Sequence, residues 1–483
     1  WFGFFDGLEN VPVEVSFIVP DGMGSFSALP IKEKNGSTIE FKARDYHQLV
    51  DCPIMISSID TATFMVSNTK VFIEAYHANG EKGFAEVIKK DIQPSMEAIA
   101  SFTDSLPVSE YHFILYLRDG KAFMETMRSK DIGWIKKIKT VWENRSLMGA
   151  GALEHGNSSF YVLPDFGDTT FTSMIKRVAL HEFMHIFTPL NLHSEQIGNF
   201  DYVDPKMSKH LWLYEGVTEY FANLILLQSN LITDREFFTQ RIRNKISSSS
   251  RYPEKKISFT DMSQRVFEKK YGQHYYQVYQ RGAIIGLLLD IEIIRLTNGQ
   301  KTLKDVVLEL SNKYGSERSF NEETFFDEFT ALVHPDLRQW FADYVEGTVP
   351  LDIRGGLSQI GVNYSKKGKH LVPKRIFRDY GTKSYFLSMG KYRKIKKVGK
   401  KDPIGFEVGD SVNTEILDSL LYDEKGYPRP EGTQVSIKLK RNGNKLSLPY
   451  KIEYKERKYK HRLLLSKDPN DIQSNYYSVW RSN

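Results

Sequence analysis

The sequence predicts a multi-domain α+β protein: a β domain first, a mainly helical domain in the middle and a β-rich domain last. Three observations carry that prediction. At 483 residues the chain is too long for a single hydrophobic core and suggests roughly two to four domains. Short strand-like segments fill the beginning and return near the end, whereas apolar residues between them recur at helical spacing. Pro350–Gly361 (PLDIRGGLSQIG) is punctuated by proline and glycine and reads as a linker. The expected domains are residues 1–75, 76–348 and 349–483.

In the first domain VEVSFIVP (13–20) alternates as a half-buried strand does, and DGMGS supplies turn chemistry after it. STIEFKA, PIMISS and TKVFIEAY read as further short strands. Phe84–Ala100 has helical spacing, and HFILYLR (112–118) is a strand. Next, Gly149-Ala150-Gly151-Ala152-Leu153-Glu154-His155 is a run of small residues ending in a carboxylate, followed by the strand SSFYVLP. It reads either as a plain loop or as an extended edge. Small residues let a ligand backbone approach closely, and an edge strand can pair with a peptide.

Phe171–Phe187 (FTSMIKRVALHEFMHIF) is a helix by its spacing, with Thr170 or Thr172 as its cap and Pro189 beyond its end. Its last part is His181-Glu182-Phe183-Met184-His185. Residues four apart share a helix face, so two imidazoles stand side by side. They can hold zinc, and the adjacent carboxylate can take a proton from an attacking water. With 12 His in the chain, the pattern arises by accident in roughly a few per cent of such sequences. Its context therefore has to decide.

That context is a loop from Thr188 to Lys209, long enough to suggest a role of its own, and then a second helix, His210–Gln228 (HLWLYEGVTEYFANLILLQ). Glu215 lies inside its apolar pattern, where an acid is costly unless paired or metal-bound. It is the third ligand we select. His193, eight residues past His185, competes for that place. A metzincin arrangement requires Gly and His where this chain has Thr188 and Asn191, which excludes it. Two His and one Glu leave a fourth zinc position open.

Residues 246–347 are mainly helical, with GAIIGLLLDIEIIRL (282–296), LKDVVLELSNKY (303–314) and ETFFDEFTALV (323–333). Tyr279 stands at the mouth of the first of these. It either packs against the helix start or points into a cleft, where its hydroxyl can donate to a developing oxyanion. After the linker come short strands and a hairpin, VSIKLK–RNGN–KLSLPY, turned by Asn442-Gly443.

Composition narrows the classes. Cys52 is the single cysteine, which excludes an intramolecular disulfide and any cysteine-ligated zinc. The longest apolar run, near Ile284–Leu289, is broken by Asp290, so no segment is expected to span a bilayer. The net charge of +6 comes largely from KYRKIKKVGKK (391–401) and KIEYKERKYKHR (451–462). Such runs can touch nucleic acid or an anionic surface. No nucleic-acid reading motif accompanies them, so they are read as solvated faces and no nucleic acid is expected. Because the chain begins at Trp1 rather than Met, a removed leader or N-terminal segment is expected.

Five motifs in order resemble those of the glycyl aminopeptidase family of gluzincin metallopeptidases, distant relatives of aminopeptidase N. DYHQLVDCPI (45–54) is similar to the stretch that ends the family's β domain. GALEHGNS (151–158) looks like its small-small-Leu-Glu-His segment. HEFMH carries the zinc helix, LWLYEGVTEYFA (211–222) looks like Trp-x-x-Glu-Gly-x-Thr-x-Tyr, and YQRGAIIGLLLDIEIIRLTNG (279–299) is similar to the Tyr-x-Lys-Gly helix with Arg281 for Lys. The last part resembles a PDZ-like domain, with VGD (408–410) in place.

The resemblance implies a thermolysin-like catalytic domain and one zinc ion per chain held by His181, His185 and Glu215. It makes Glu182 the general base and Tyr279 the oxyanion donor, with Glu154 near the substrate's N-terminus and Gly151 and Ala152 lining the peptide. The implied activity is an aminopeptidase acting on peptides with N-terminal glycine or another small residue. A zinc endopeptidase on the same site, or an idle peptide-binding PDZ-type protein, are the alternatives. A bacterial periplasmic, envelope-associated or secreted setting is expected.

Overall fold

The computed structural model describes residues 2–5, 7–103, 105–121, 127, 133, 151–165, 169–386, 392–423 and 427–482. The chain divides into two compact units, one of Trp1–Ser229, Tyr252–Leu351 and Val479–Asn483, the other of Asn230–Arg251 and Asp352–Ser478.

The first unit opens with β1 (Val13–Ile18), β2 (Met23–Phe26), β3 (Ile31–Asn35), β4 (Thr38–Ala43) and β5 (Met55–Ser58). β1, β4 and β3 form one antiparallel sheet, and β2 pairs with β5. A short helix, α1 (Tyr46–Asp51), follows because Asp45 caps it, its carboxylate accepting the Gln48 amide at 2.7 Å. Beneath these elements Val19, Ile39, Phe41, Leu49 and Cys52 are buried together. Burial pushes the Cys52 thiol up to about 12, so this residue acts as a small hydrophobe.

A second sheet contains β6 (Thr61–Val66), β7 (Thr69–His77), β8 (Glu110–Asp119), β9 (Gly151–His155) and β10 (Ser158–Asp165) in the order β6-β7-β8-β10-β9. β7, β8 and β10 run parallel, with antiparallel edges in β6 and β9. The parallel strands are buried on both faces, hence their continuous apolar character. Val71, Ile73, Phe113, Leu115 and Leu163 are at most 1% exposed. β6 was not anticipated, and β7 runs through the boundary expected at residue 75 to pair with the strand HFILYLR. The helices α2 (Phe84–Thr103) and α3 (Thr169–Met184) pack together, α2 against β6 and β7, α3 against β9 and β10.

α3 begins at Thr169, so the expected caps Thr170 and Thr172 fall inside its first turn, and it ends three residues before Phe187. Further on, a π-helical turn (Trp212–Val217) runs directly into α4 (Thr218–Gln228). Then come α5 (Gln277–Leu296), α6 (Leu303–Tyr314), α7 (Phe325–Ala331) and α8 (Leu337–Tyr344). α5 starts five residues earlier than its apolar core alone indicates, because Gln277–Arg281 continue the same helical run. Asp290, buried in α5, is satisfied by the Tyr220 hydroxyl at 2.5 Å and the Leu303 amide at 2.8 Å. Among the described residues no helix is long and apolar enough to cross a membrane.

In the second unit, the expected linker contains a helix, α9 (Ile353–Gln359), whose N-terminus Asp352 caps. β11 (Val362–Pro373) and β17 (Tyr454–Leu465) form a two-stranded antiparallel ribbon. A five-stranded antiparallel sheet follows the chain through β12 (Lys383–Phe386), β13 (Tyr392–Lys397), β14 (Ser411–Asn413), β15 (Gln434–Arg441) and β16 (Asn444–Lys451), with the helix α10 (Glu415–Leu421) between β14 and β15. The β15–β16 hairpin turns on Asn442 (φ 49°) and Gly443 (φ 84°), both left-handed as a two-residue turn requires. Val412, Ile437, Leu439, Tyr450 and Ile452 form its core together with Ile404 and Phe406.

Candidate metal centre

His181 and Glu182 occupy the last turn of α3, and His185 lies in the turn just beyond it, its amide bonded to the Glu182 carbonyl at 3.3 Å. Helical spacing survives this tightening: the two imidazole centroids are 4.8 Å apart with their planes at 89°. The π turn brings in the third group. It adds a residue to the winding of the second helix, and Glu215 within it reaches His181 Nε2 at 3.1 Å and His185 Nε2 at 3.8 Å. Ligand atoms of His181, His185 and Glu215 lie within 4.8 Å of one another. All three residues are buried.

The outer nitrogens are fixed as well. His185 Nδ1 is 2.7 Å from the Thr188 carbonyl, which only accepts, so Nδ1 carries the proton and the Nε2 lone pair faces inward. His181 Nδ1 is 3.0 Å from a Glu219 oxygen, and Asn223 donates to the other Glu219 oxygen at 3.2 Å. Burial disfavours charge on His181, yet its hydrogen bonds to Glu215 and Glu219 outweigh that and hold the imidazole well above its usual range. Burial likewise opposes ionisation of Glu215, but His181 and His185 draw it below the usual carboxylate range. Two inward nitrogens, one carboxylate and outer acceptors on both rings make a donor set that fits zinc.

Glu182 and Glu154 stand beside this group. A carboxylate oxygen of each lies within 4.8 Å of the other and of a His185 nitrogen. Burial pushes the Glu182 carboxyl up to about 7; the two imidazoles oppose this, while Glu154 and Glu215 add to it. Tyr111 donates to the Glu182 carbonyl at 3.3 Å and anchors the backbone there. Glu154 projects from β9, which among the described residues is an edge strand paired with β10. Gly151 and Ala152 lie further along that edge, and beyond its chain neighbours a side chain on Gly151 would meet no atom of the described residues within 4 Å. Gly149 and Ala150 fall outside the described residues. The turn after β9 is held by Asp51 at the end of α1, which accepts the Gly156 amide at 2.7 Å and lies 3.2 Å from His155 Nδ1.

Tyr279 sits in the first turn of α5 with its ring centroid 5.5 Å from that of His181. Burial, then Glu215, pushes its hydroxyl well above the usual range. Its ring meets that of Tyr275 edge-on with centroids 6.1 Å apart, a partner that the sequence does not single out. Glu219 was also missed, although its position four residues after Glu215 on the same helix was the available signal. His193, the rival third ligand, turns instead to the Pro189 carbonyl at 2.9 Å. His77, Glu81 and Asp165 form a separate group, but Lys121 lies 2.6 Å from Glu81 and 3.4 Å from Asp165 and already balances it.

Residues 175–285, which contain both histidines, Glu182, Glu215 and Tyr279, match the family model of M61 glycyl aminopeptidase. Residues 1–58 match that of the peptidase M61 N-terminal domain. No curated protein matches the chain significantly. Among solved structures, an aminopeptidase N family protein from Idiomarina loihiensis is similar in fold, with a TM-score of 0.65 and 18% identity over 99% of this chain and 80% of that one. An M1 zinc metallopeptidase from Deinococcus radiodurans gives a TM-score of 0.45 at 14% identity; the match covers 71% of this chain and 65% of that enzyme. The chain is thus similar to M61 peptidases over these stretches and to an aminopeptidase N family protein in fold, and the family-model matches support a peptidase.

Proposed function

We propose that the chain is a zinc-dependent aminopeptidase that removes small N-terminal residues, glycine among them, from peptides. The observation that carries this reading is the meeting of two carboxylates, Glu182 and Glu154, beside the donor set His181, His185 and Glu215. Those three residues would hold one zinc ion per chain. When bound, zinc supplies a Lewis acid and lowers the pKa of water from 15.7 toward about 7.

The remaining work belongs to the side chains. Glu182, as a carboxylate, takes the proton of the attacking water and passes it to the leaving amine. A buried carboxyl drawn up to about 7 gives and receives a proton readily at neutral pH. The Tyr279 hydroxyl donates to the carbonyl oxygen as charge develops there. Glu154 pairs with the substrate's free α-amino group and sets the register at one residue from the end. The peptide backbone extends along the edge of β9 that faces away from β10, past Ala152 and Gly151. The five-stranded sheet of the second unit, with α10 beside it, is read as PDZ-like on its strand and helix content. A periplasmic, envelope-associated or secreted setting is part of the proposal and is tested by fractionation.

Hydrolysis of matched free-amine and N-acetylated peptides, with and without a zinc chelator, tests the reading. Chelator-sensitive cleavage of the free-amine peptides alone supports it. Cleavage of blocked peptides makes the enzyme an endopeptidase, and no cleavage by the zinc-loaded protein overturns the activity.

A further inference from the structure

The ribbon β11–β17 carries more charge than the chain as a whole. Over its two strands eight lysines and arginines meet one glutamate, a net +7 against +6 for all 483 residues. The register sorts these charges by face. Lys367 stands directly opposite Lys460, and Lys369 opposite Lys458. Residues two apart share a face, so all four point the same way, whereas Arg462, just past the left-handed His461 (φ 52°), turns over the Tyr459 ring at 5.6 Å. The four lysines are exposed. Glu456 reaches Lys369 at 2.9 Å, but among the described residues no acid pairs with Lys367, Lys458 or Lys460.

Like charges directly across a strand pair destabilise it. The ribbon therefore gives up stability to hold this row, and an anionic partner would recover it. We propose that this face of the ribbon docks on an anionic phospholipid bilayer. The chemistry of the face selects that partner. Its four cations, Lys367, Lys369, Lys458 and Lys460, are all lysine ammoniums, compact charges suited to crowded phosphates without a fixed geometry. Tyr364, Tyr459 and His370, the rings on which bases could stack, all alternate to the other face. At the end of the lysine row Leu371 is 62% exposed and lies on the same face, an apolar tip for the headgroup layer.

Sedimentation of the full chain with phosphatidylcholine vesicles, with and without phosphatidylglycerol, tests this at low and high salt. Binding is expected only to the anionic vesicles and to be lost at high salt, as the Debye length shrinks. Lys458→Glu with Lys460→Glu should weaken it at least about tenfold, while the thermal midpoint stays at or above that of the parent because opposite charges now face each other. Lys394→Glu with Lys396→Glu, an equal charge change on β13, should leave most of the binding. If that doublet unfolds, Lys400→Glu with Lys401→Glu takes its place. Equal loss in the two doublets, or no binding to anionic vesicles at low salt, overturns the proposal. So does displacement from vesicles by duplex DNA at equal phosphate, which would make the partner a nucleic acid.

Discussion

Gly216 of the π turn and Gly282 of α5 touch backbone to backbone: a Cβ built on Gly216 would lie 2.7 Å from the Gly282 Cα. No side chain fits between them. Their neighbours on the chain are Glu215 on one side and Tyr279–Arg281 on the other, so this contact sets the distance between the proposed third ligand and the proposed oxyanion donor.

Gly282→Ala is expected to push the two segments apart. Overpacking of this kind costs about 1–3 kcal/mol, and here it also separates Glu215 from His181. Thermal midpoint and zinc affinity should fall together. An alanine variant with unchanged midpoint and unchanged zinc affinity would show that the backbone contact positions nothing.

Glu219 accepts from His181 Nδ1 at 3.0 Å. Removing such an outer partner typically weakens metal affinity by roughly 10–100-fold. Glu219→Gln should therefore release zinc to a competing chelator at correspondingly lower chelator concentration, with circular dichroism unchanged. Equal zinc affinities in the two proteins would remove Glu219 from the account.

Glu182→Gln keeps the size of the side chain and removes its basicity. The turnover number on free-amine peptides should drop by roughly 10²–10⁴-fold, with KM and bound zinc close to the parent values. Wild-type turnover in this variant would falsify the assignment of Glu182 as the proton carrier.

His210 supplies a pH dependence away from the reacting groups. It is fully buried, with Nε2 bonded to the Glu322 carbonyl at 3.0 Å and Nδ1 accepting from Trp212 at 3.2 Å. Burial pushes its pKa from 6.5 down to about 3, so between those values the unfolded chain takes up a proton that the folded chain refuses. Stability from this group is complete above 6.5 and drains away as pH falls toward 3, by on the order of 4–5 kcal/mol. In urea titrations, His210→Gln should be less stable at neutral pH and lose less between pH 7.5 and 4.5, a range that takes in the upper part of that window. Equal losses in variant and parent would assign the acid sensitivity elsewhere.

The parts of the molecule that the sequence made legible are those written in local spacing. The His181–His185 pair follows from helical periodicity, Glu215 from an acid set among apolar neighbours, and the β15–β16 turn from Asn442-Gly443. What it hid depends on distant partners. β7 joins the central sheet because Lys70 meets Glu110 and His77 meets Leu117, and no pattern within residues 61–77 announces that. The π turn at Trp212–Val217 is equally silent, since its extra residue is visible only once Gly216 has met Gly282. The face of the ribbon took shape only when Lys367 was found opposite Lys460, forming one row from two separate stretches of sequence.

On the proposed function, the clamp of Asp51 on Gly156 and His155 would give the N-terminal elements a share in reading the substrate. A peptide aligned along β9 would be held by a strand whose turn is tethered to a helix roughly a hundred positions earlier in the chain. As proposed, loading the metal and grasping the peptide would thus be supported by different stretches of the polypeptide, and the two could be separated. A chain shortened to begin at β6 would keep every proposed zinc ligand while losing its grip on the peptide-binding edge. It would behave as a metalloprotein before it behaved as a peptidase.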